Sequence, residues 1–198
     1  MEIEHMGNLA SAKAITFLDI ETTHLSPTKS AILQICFITD WEDGRQDVWS
    51  TKIKPKTIEL SFASSDALKI CNYKEEDWSD APSFNEVAPE IAKRLTWGPL
   101  VAHNINFDLS HLRAVFNRYG WEEVDSVKDL GDNKNYKIGY PIIDTCALSY
   151  LFLPVERQNL QTLREHFEIS QEGAHDANKD TEDCREIFYN IVSQKLSS

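Results

Sequence analysis

The chemistry most visible in this sequence is a set of carboxylates in places that disfavour charge. Asp19 and Glu21 end the apolar run that starts at Ala14. Strand side chains alternate, so both acids share the face of Ile15 and Phe17. Their Cα atoms would lie about 6–7 Å apart, within reach of metal ions spaced about 3.5–4 Å. Unpaired and ionised on a buried face they would be costly, unless the strand end emerges into water and both are simply hydrated. Asp180 poses the same question on a helix, where Cys184, Ile187, Phe188 and Ile191 follow at helical spacing. It is either a ligand beside the apolar stripe or a first-turn acid favoured by the helix N-terminus. Asp108, after HNINF, is a further ligand or a first-turn cap. His175 precedes Asp180 by five residues, about 140° away on a continuous helix, so it would reach the same site from the preceding loop. Alone, it reads equally as a surface histidine.

These groups need elements to carry them. Residues 14–20, 31–38 and 46–53 read as strands, with Glu42-Asp43-Gly44 as a turn, so three hairpin-connected strands open the chain. Helical patterns follow at 62–70 and at 84–97, the latter after a Ser83-x-x-Glu86 capping box and containing Pro89. A short strand at 99–103 leads into a helix at 107–119, where Leu109, Leu112 and Phe116 form a stripe and Gly120 supplies the stop. Residues 121–140 are polar and aperiodic, a flexible insertion or structure that the pattern does not reveal. A strand at 141–145 precedes helices at 146–152, 159–168 and 177–195. The order implies an α/β fold: a mixed central sheet, three antiparallel strands then parallel ones, flanked by helices.

Composition sets the limits. With 198 residues, 41% hydrophobic and 26% charged, the chain suits one soluble domain, expected at 14–198 after a floppy leader at 1–13. Its longest apolar stretch, Ala31 to Ile38, is too short to span a bilayer, and the first residues lack a signal-peptide core, so a cytoplasmic location is expected. Cys36, Cys71, Cys146 and Cys184 show no metal-binding spacing and are expected reduced and buried. The net charge of −12 opposes nonspecific attraction to a polyanion. Two bound divalent cations would offset only four of those charges, which favours short single-stranded ends over long polyanions. Lys52, Lys54 and Lys56 share one side of an extended segment and would track phosphates or, more simply, protect a sheet edge. The five tryptophans form no periodic stacking platform.

In combination, FLDIETTHL (17–25), HNINFD (103–108) and HDANKD (175–180) resemble the three motifs of the DEDDh, or DnaQ-like, exonuclease family. AILQI (31–35), the run from Ala67 through APSFNEV (81–87), IDT (143–145) and NLQTLREHF (159–167) resemble its connecting blocks, so the resemblance covers about residues 14–192. An Asp-x-Glu alone is a weak pattern; all three motifs in order, with His five residues before the last Asp, are highly specific. The family's tyrosine variant would place Tyr where this chain has Asp176.

The resemblance implies an RNase H-like fold and 3'-to-5' removal of 5'-mononucleotides from single-stranded DNA or RNA by two-metal hydrolysis. Asp19, Glu21, Asp108 and Asp180 would hold two Mg²⁺ or Mn²⁺ ions, hard cations that suit oxygen ligands. His175 would take the proton from the attacking water. Thr22, Thr23 and Leu25 would contact the terminal nucleotide, with Leu25 against its base, and Asn104 would position the strand; turn and capping roles are the alternatives. Asp144 matches a frequent family acid, either a support behind the ligands or a simple cap. His24 stands where the family usually has Gly, a residue that reaches positive φ without strain. Two other functions compete: an internally cutting nuclease of the same superfamily, and a non-catalytic module that binds nucleic acid or protein. A homodimer and a partner polymerase are both open.

Overall fold

The computed structural model describes residues 12–130 and 134–196; the expected leader falls mostly on residues 1–11, outside them. Strands β1 (Ala14–Thr22), β2 (Ile32–Trp41) and β3 (Gln46–Lys52) form the expected antiparallel ladder. Gly44, at φ 83°, closes the β2–β3 turn and donates its N–H to the Trp41 carbonyl at 3.0 Å. β4 (Leu100–Ala102) pairs parallel to β1, and β7 (Ile142–Asp144) parallel to β4, giving the order β3-β2-β1-β4-β7. The C-terminal ends of β1, β4 and β7 therefore meet at one end of the sheet. Asp19 and Glu21, the Asn104–Asp108 turn and Asp144 all lie there.

Period-two alternation in β1 divides the core. Leu18 and Ile20 pack with Phe37, Leu100 and Ala102 under α3 (Phe84–Arg94) and α4 (Ile105–Arg118). Ile15 and Phe17 pack with Cys36, Ile38 and Val101 under α7 (Ala177–Leu196), whose Cys184 and Phe188 are buried there. Phe17 meets Phe188 edge to face at 5.5 Å, and each buried ring contributes roughly 1.5–3 kcal/mol. The Asp19/Glu21 face is thus the α7 face, which seats Asp180 opposite them. Pro89 sits inside α3 without breaking it, and Glu86 reaches back to the Ser83 amide at 2.7 Å.

One expectation is corrected and one open alternative is decided. The helix placed at 62–70 is the shorter α2 (Ser65–Ile70), which starts only after Ser64, whose hydroxyl caps it by accepting from Ala67 N, and a further short helix, α1 (Thr57–Leu60), precedes it. The segment 121–140, in its described part, is built structure. β5 (Glu122–Glu123) and β6 (Asn135–Tyr136) pair in parallel, Tyr136 stacks on Phe116 at 4.1 Å, and Ile138 is buried. A Cβ on Gly139 would lie 2.4 Å from the Gly98 carbonyl oxygen, so the strand return toward β7 requires glycine there. The remaining helices are α5 (Thr145–Phe152) and α6 (Leu160–His166).

Candidate active site

Asp19 and Glu21 leave β1 on the α7 side, Asp108 stands in the first turn of α4, and Asp180 in the first turn of α7. Asp108 and Asp180 are buried, 3% and 8% exposed. Burial pushes the Asp19 carboxyl well above its ordinary value, and the charges of Asp108, Glu21 and Asp180 push it further, with Arg164 opposing. Asp108 is likewise pushed well up by burial and by Asp144 and Glu21, against the stabilising backbone amides of Asp108 and Ile20. Burial raises Glu21 to about 7, and Asp180 and Asp176 add to this. Asp180 is raised by burial despite Arg164 and the His175 amide. A bound divalent cation would offset the mutual repulsion of four acids packed this closely. The donor atoms of Glu21, His175 and Asp180 lie within 4.8 Å of one another, so an oxygen-rich set with one imidazole fits a hard divalent ion.

His175 reaches the cluster from the loop, as its position in the sequence implies. Its backbone is left-handed, φ 67°, its ring is exposed, and its N–H donates to Asp180 Oδ1 at 3.2 Å. Asp176, which separates this motif from the tyrosine variant, caps α7. Its Oδ1 accepts from Asn178 N at 3.0 Å, and its Oδ2 accepts from Gln34 Nε2 at 3.2 Å, tying the loop to β2 beside Glu21.

The loop after β1 carries the other expected contacts. Leu25 is 81% exposed, while Thr22 is buried with its hydroxyl donated to the His24 carbonyl at 3.4 Å. Thr23 is fully buried, and its hydroxyl accepts from Ala31 N at 2.8 Å, which braces the loop. His24 does not adopt positive φ, so the usual glycine's freedom is not needed; its Nδ1 accepts from Ser26 N at 2.8 Å. Asn104 is exposed and left-handed at φ 61°, a conformation Asn tolerates. Asp144 is both cap and support. Its Oδ1 accepts from Cys146 N at 2.9 Å and from Asn104 N at 2.8 Å, linking the β7 end to the β4–α4 turn.

Several residues that shape the site escape sequence reasoning. His111, fully buried on α4, bridges the Phe107 and His24 carbonyls at 2.8 and 3.0 Å. Arg118 donates to the carbonyls of Ser30 and Thr28 and to Glu59 Oε1 at 2.9 Å, latching the same loop. For His111 the signal was a polar residue on the inward side of an amphipathic helix; Arg118, on the outer side, gave none. Cys71, only partly buried, donates its thiol to Glu21 Oε2 at 3.1 Å; burial, together with that carboxylate, pushes the thiol up and keeps it protonated. Cys146 is also only partly buried, so the expectation of four buried cysteines holds for Cys36 and Cys184. The three lysines have partners within the chain: Lys52 lies over Trp78, Lys54 donates to the Ser79 carbonyl and Lys56 lies over Tyr119.

The raised carboxyls predict a stability signature. Glu21 moves from 4.5 to about 7 on folding, so its proton is held by the folded chain and lost by the unfolded one in between. That stabilisation is complete below about pH 4.5 and vanishes as pH rises through 7, amounting to roughly 1–3 kcal/mol and several degrees of melting temperature. Chelator-treated protein should therefore melt lower at pH 8 than at pH 6, with Mg²⁺ or Mn²⁺ closing the gap. Equal melting at both pH values without metal would contradict the buried cluster.

With this geometry in place, the profile of the exonuclease family matches residues 16–188. The chain belongs to the DnaQ-like exonuclease family. Among its relatives, the DNA polymerase III epsilon subunit of Treponema pallidum is 26% identical over 183 residues, covering 91% of this chain and 77% of that protein. The PolC-type DNA polymerase III of Caldanaerobacter subterraneus is 28% identical over 177 residues, 89% of this chain but 11% of its own length. The chain thus spans only about a tenth of that polymerase. Solved exonucleases share the fold. Escherichia coli exonuclease I bound to a dA16 oligonucleotide gives a TM-score of 0.68 at 16% identity, over 93% of this chain and 41% of that one. Exonuclease X with a 5'-overhanging duplex gives 0.62 at 19%, over 91% and 92%. The expected RNase H-like architecture is therefore the observed one. No helix among the described residues is long and apolar enough to cross a membrane.

Proposed function

We propose that this DnaQ-like exonuclease is a divalent-metal-dependent 3'-to-5' enzyme that removes 5'-mononucleotides from single-stranded DNA or RNA. The observation that carries the reading is the cluster of Asp19, Glu21, Asp108 and Asp180 at one sheet end, with the His175 donor beside two of them. Asp19, Glu21, Asp108 and Asp180 would hold two ions, Mg²⁺ or Mn²⁺. Bound there, such ions neutralise phosphate charge, acidify the attacking water and stabilise the leaving 3' oxygen. His175, exposed at the mouth, accepts the water's proton at a ring nitrogen. Leu25, projecting from the latched loop, packs against the terminal base, and Asn104 holds the penultimate backbone at the turn that Asp144 braces.

The chain's acidity favours single strands fed by their end over a long duplex gripped along its length. Relatives named as polymerase subunits and as exonucleases crystallised on DNA oligonucleotides make DNA the first polymer to test, and a polymerase partner the first association. The test is hydrolysis of 5'-labelled single-stranded DNA and RNA of equal length with Mg²⁺, with Mn²⁺ and with chelator. A metal-dependent ladder shortening from the 3' end is expected. Fragments from circular single-stranded DNA would instead establish internal cutting, and tight binding without turnover would establish a binding module.

A further inference from the structure

Arg164 is a cation where the cluster needs one, and it lies in the connecting block NLQTLREHF, outside the three motifs. It projects from α6, is 2% exposed, and spans two acids on α7. Its Nε donates to Asp183 Oδ2 at 2.6 Å and its Nη2 to Asp180 Oδ1. Asp183, 1% exposed, also accepts from Lys179 Nζ at 2.6 Å. Two cations and two carboxylates thus form a balanced quartet, buried apart from the partly exposed Lys179, and one member is a proposed metal ligand. A pair serving the fold alone would need only Asp183. The second arm of the fork links α6 to the active site.

The donor count on Asp180 has a chemical consequence. Oδ1 receives both the Arg164 guanidinium and the His175 amide, so its two lone pairs are occupied. Only Oδ2 stays available to a cation. We propose that Arg164 is a positioning residue, held by Asp183, that orients Asp180 as a single-oxygen metal ligand and keeps the His175 loop in register with it. The proposal rests on the functional reading above. Guanidinium suits the task because its planar fork presents two donors to two acids at once, whereas an ammonium is one compact charge on a flexible stem. Lysine at 164 would keep the charge and lose the fork.

The experiment compares wild type, Arg164→Lys and Asp183→Asn in the intact chain. It measures Mn²⁺ binding by titration calorimetry, steady-state hydrolysis of a single-stranded oligonucleotide, and melting temperature. Arg164→Lys should weaken Mn²⁺ binding about tenfold and lower kcat about tenfold, while KM for the strand stays within about twofold, because the strand is held elsewhere. Asp183→Asn, nearly isosteric and not a proposed ligand, frees Arg164 and should move both quantities the same way, about threefold. It also carries the test should Arg164→Lys fail to fold. A folded variant that binds Mn²⁺ and turns over as wild type does, changing only its melting temperature, would reduce Arg164 to a fold-stabilising ion pair and overturn the proposal. Tighter Mn²⁺ binding by Arg164→Lys would overturn it too, since the guanidinium would then be a competing counter-ion. Wild type that neither binds Mn²⁺ nor hydrolyses the strand would remove the functional reading itself, an outcome visible before any variant is compared.

Discussion

Asp19→Asn is expected to cut hydrolysis by about 10³-fold or more while leaving the metal-free protein as stable as wild type or more so. The two effects have one origin. Asp19 sits among Asp108, Glu21 and Asp180 on a buried face, and its carboxyl is pushed well up by burial first and by those three charges next. The nearly isosteric amide removes a charge the metal-free fold disfavours, a gain of about 1–2 kcal/mol. It also removes an anionic oxygen from the metal site, where a loss of roughly 4 kcal/mol of transition-state stabilisation corresponds to that rate. The measurement is paired: melting curves in chelator at about pH 8, and turnover of a labelled single strand with Mn²⁺. A folded variant retaining near-normal turnover would sink the assignment. A large drop in melting temperature would instead mean that Asp19 holds the fold together.

This opposition of signs explains why the site was legible at all. Asp19 and Glu21 stood out because they interrupt the alternation that builds β1, and Asp180 because it shares the face of Cys184 and Phe188. A residue that violates the local pattern is visible, and such violations gather at functional sites. The framework was legible for the converse reason: β1 and β2 carry long, buried, regular runs, β3 alternates along the exposed edge of the sheet, and α4 keeps its Leu109, Leu112, Phe116 stripe. What escaped was what depends on tertiary partners. Arg164 and His111 lie in ordinary helical patterns, and only folding shows which carboxylate or carbonyl each meets. The bond that Thr23 accepts from Ala31 N, which braces the loop, is likewise visible only in the fold. The described part of 121–140 holds its place through Tyr136 against Phe116 and Gly139 against Gly98, contacts made one at a time and without a period.

His175→Asn is expected to lower kcat by about 10²-fold or more with little change in KM or melting temperature. The choice of replacement matters because His175 occupies left-handed backbone at φ 67°, where Asn is tolerated far better than most residues. Its main chain also supplies the N–H that meets Asp180 Oδ1, so a replacement that shifted the backbone would disturb a metal ligand and mimic the loss of a base. Asn keeps the conformation and the amide and removes only the imidazole. His175→Ala removes the same ring with added backbone strain, so it should match Asn in kcat if the ring does the work, and fall well below it if the loop geometry does. The ring's exposure adds a positive control: added imidazole has open access to the vacated space and should restore part of the Asn variant's rate. Retention of most of the wild-type kcat by His175→Asn would exclude the imidazole as the base and leave proton acceptance to bulk water.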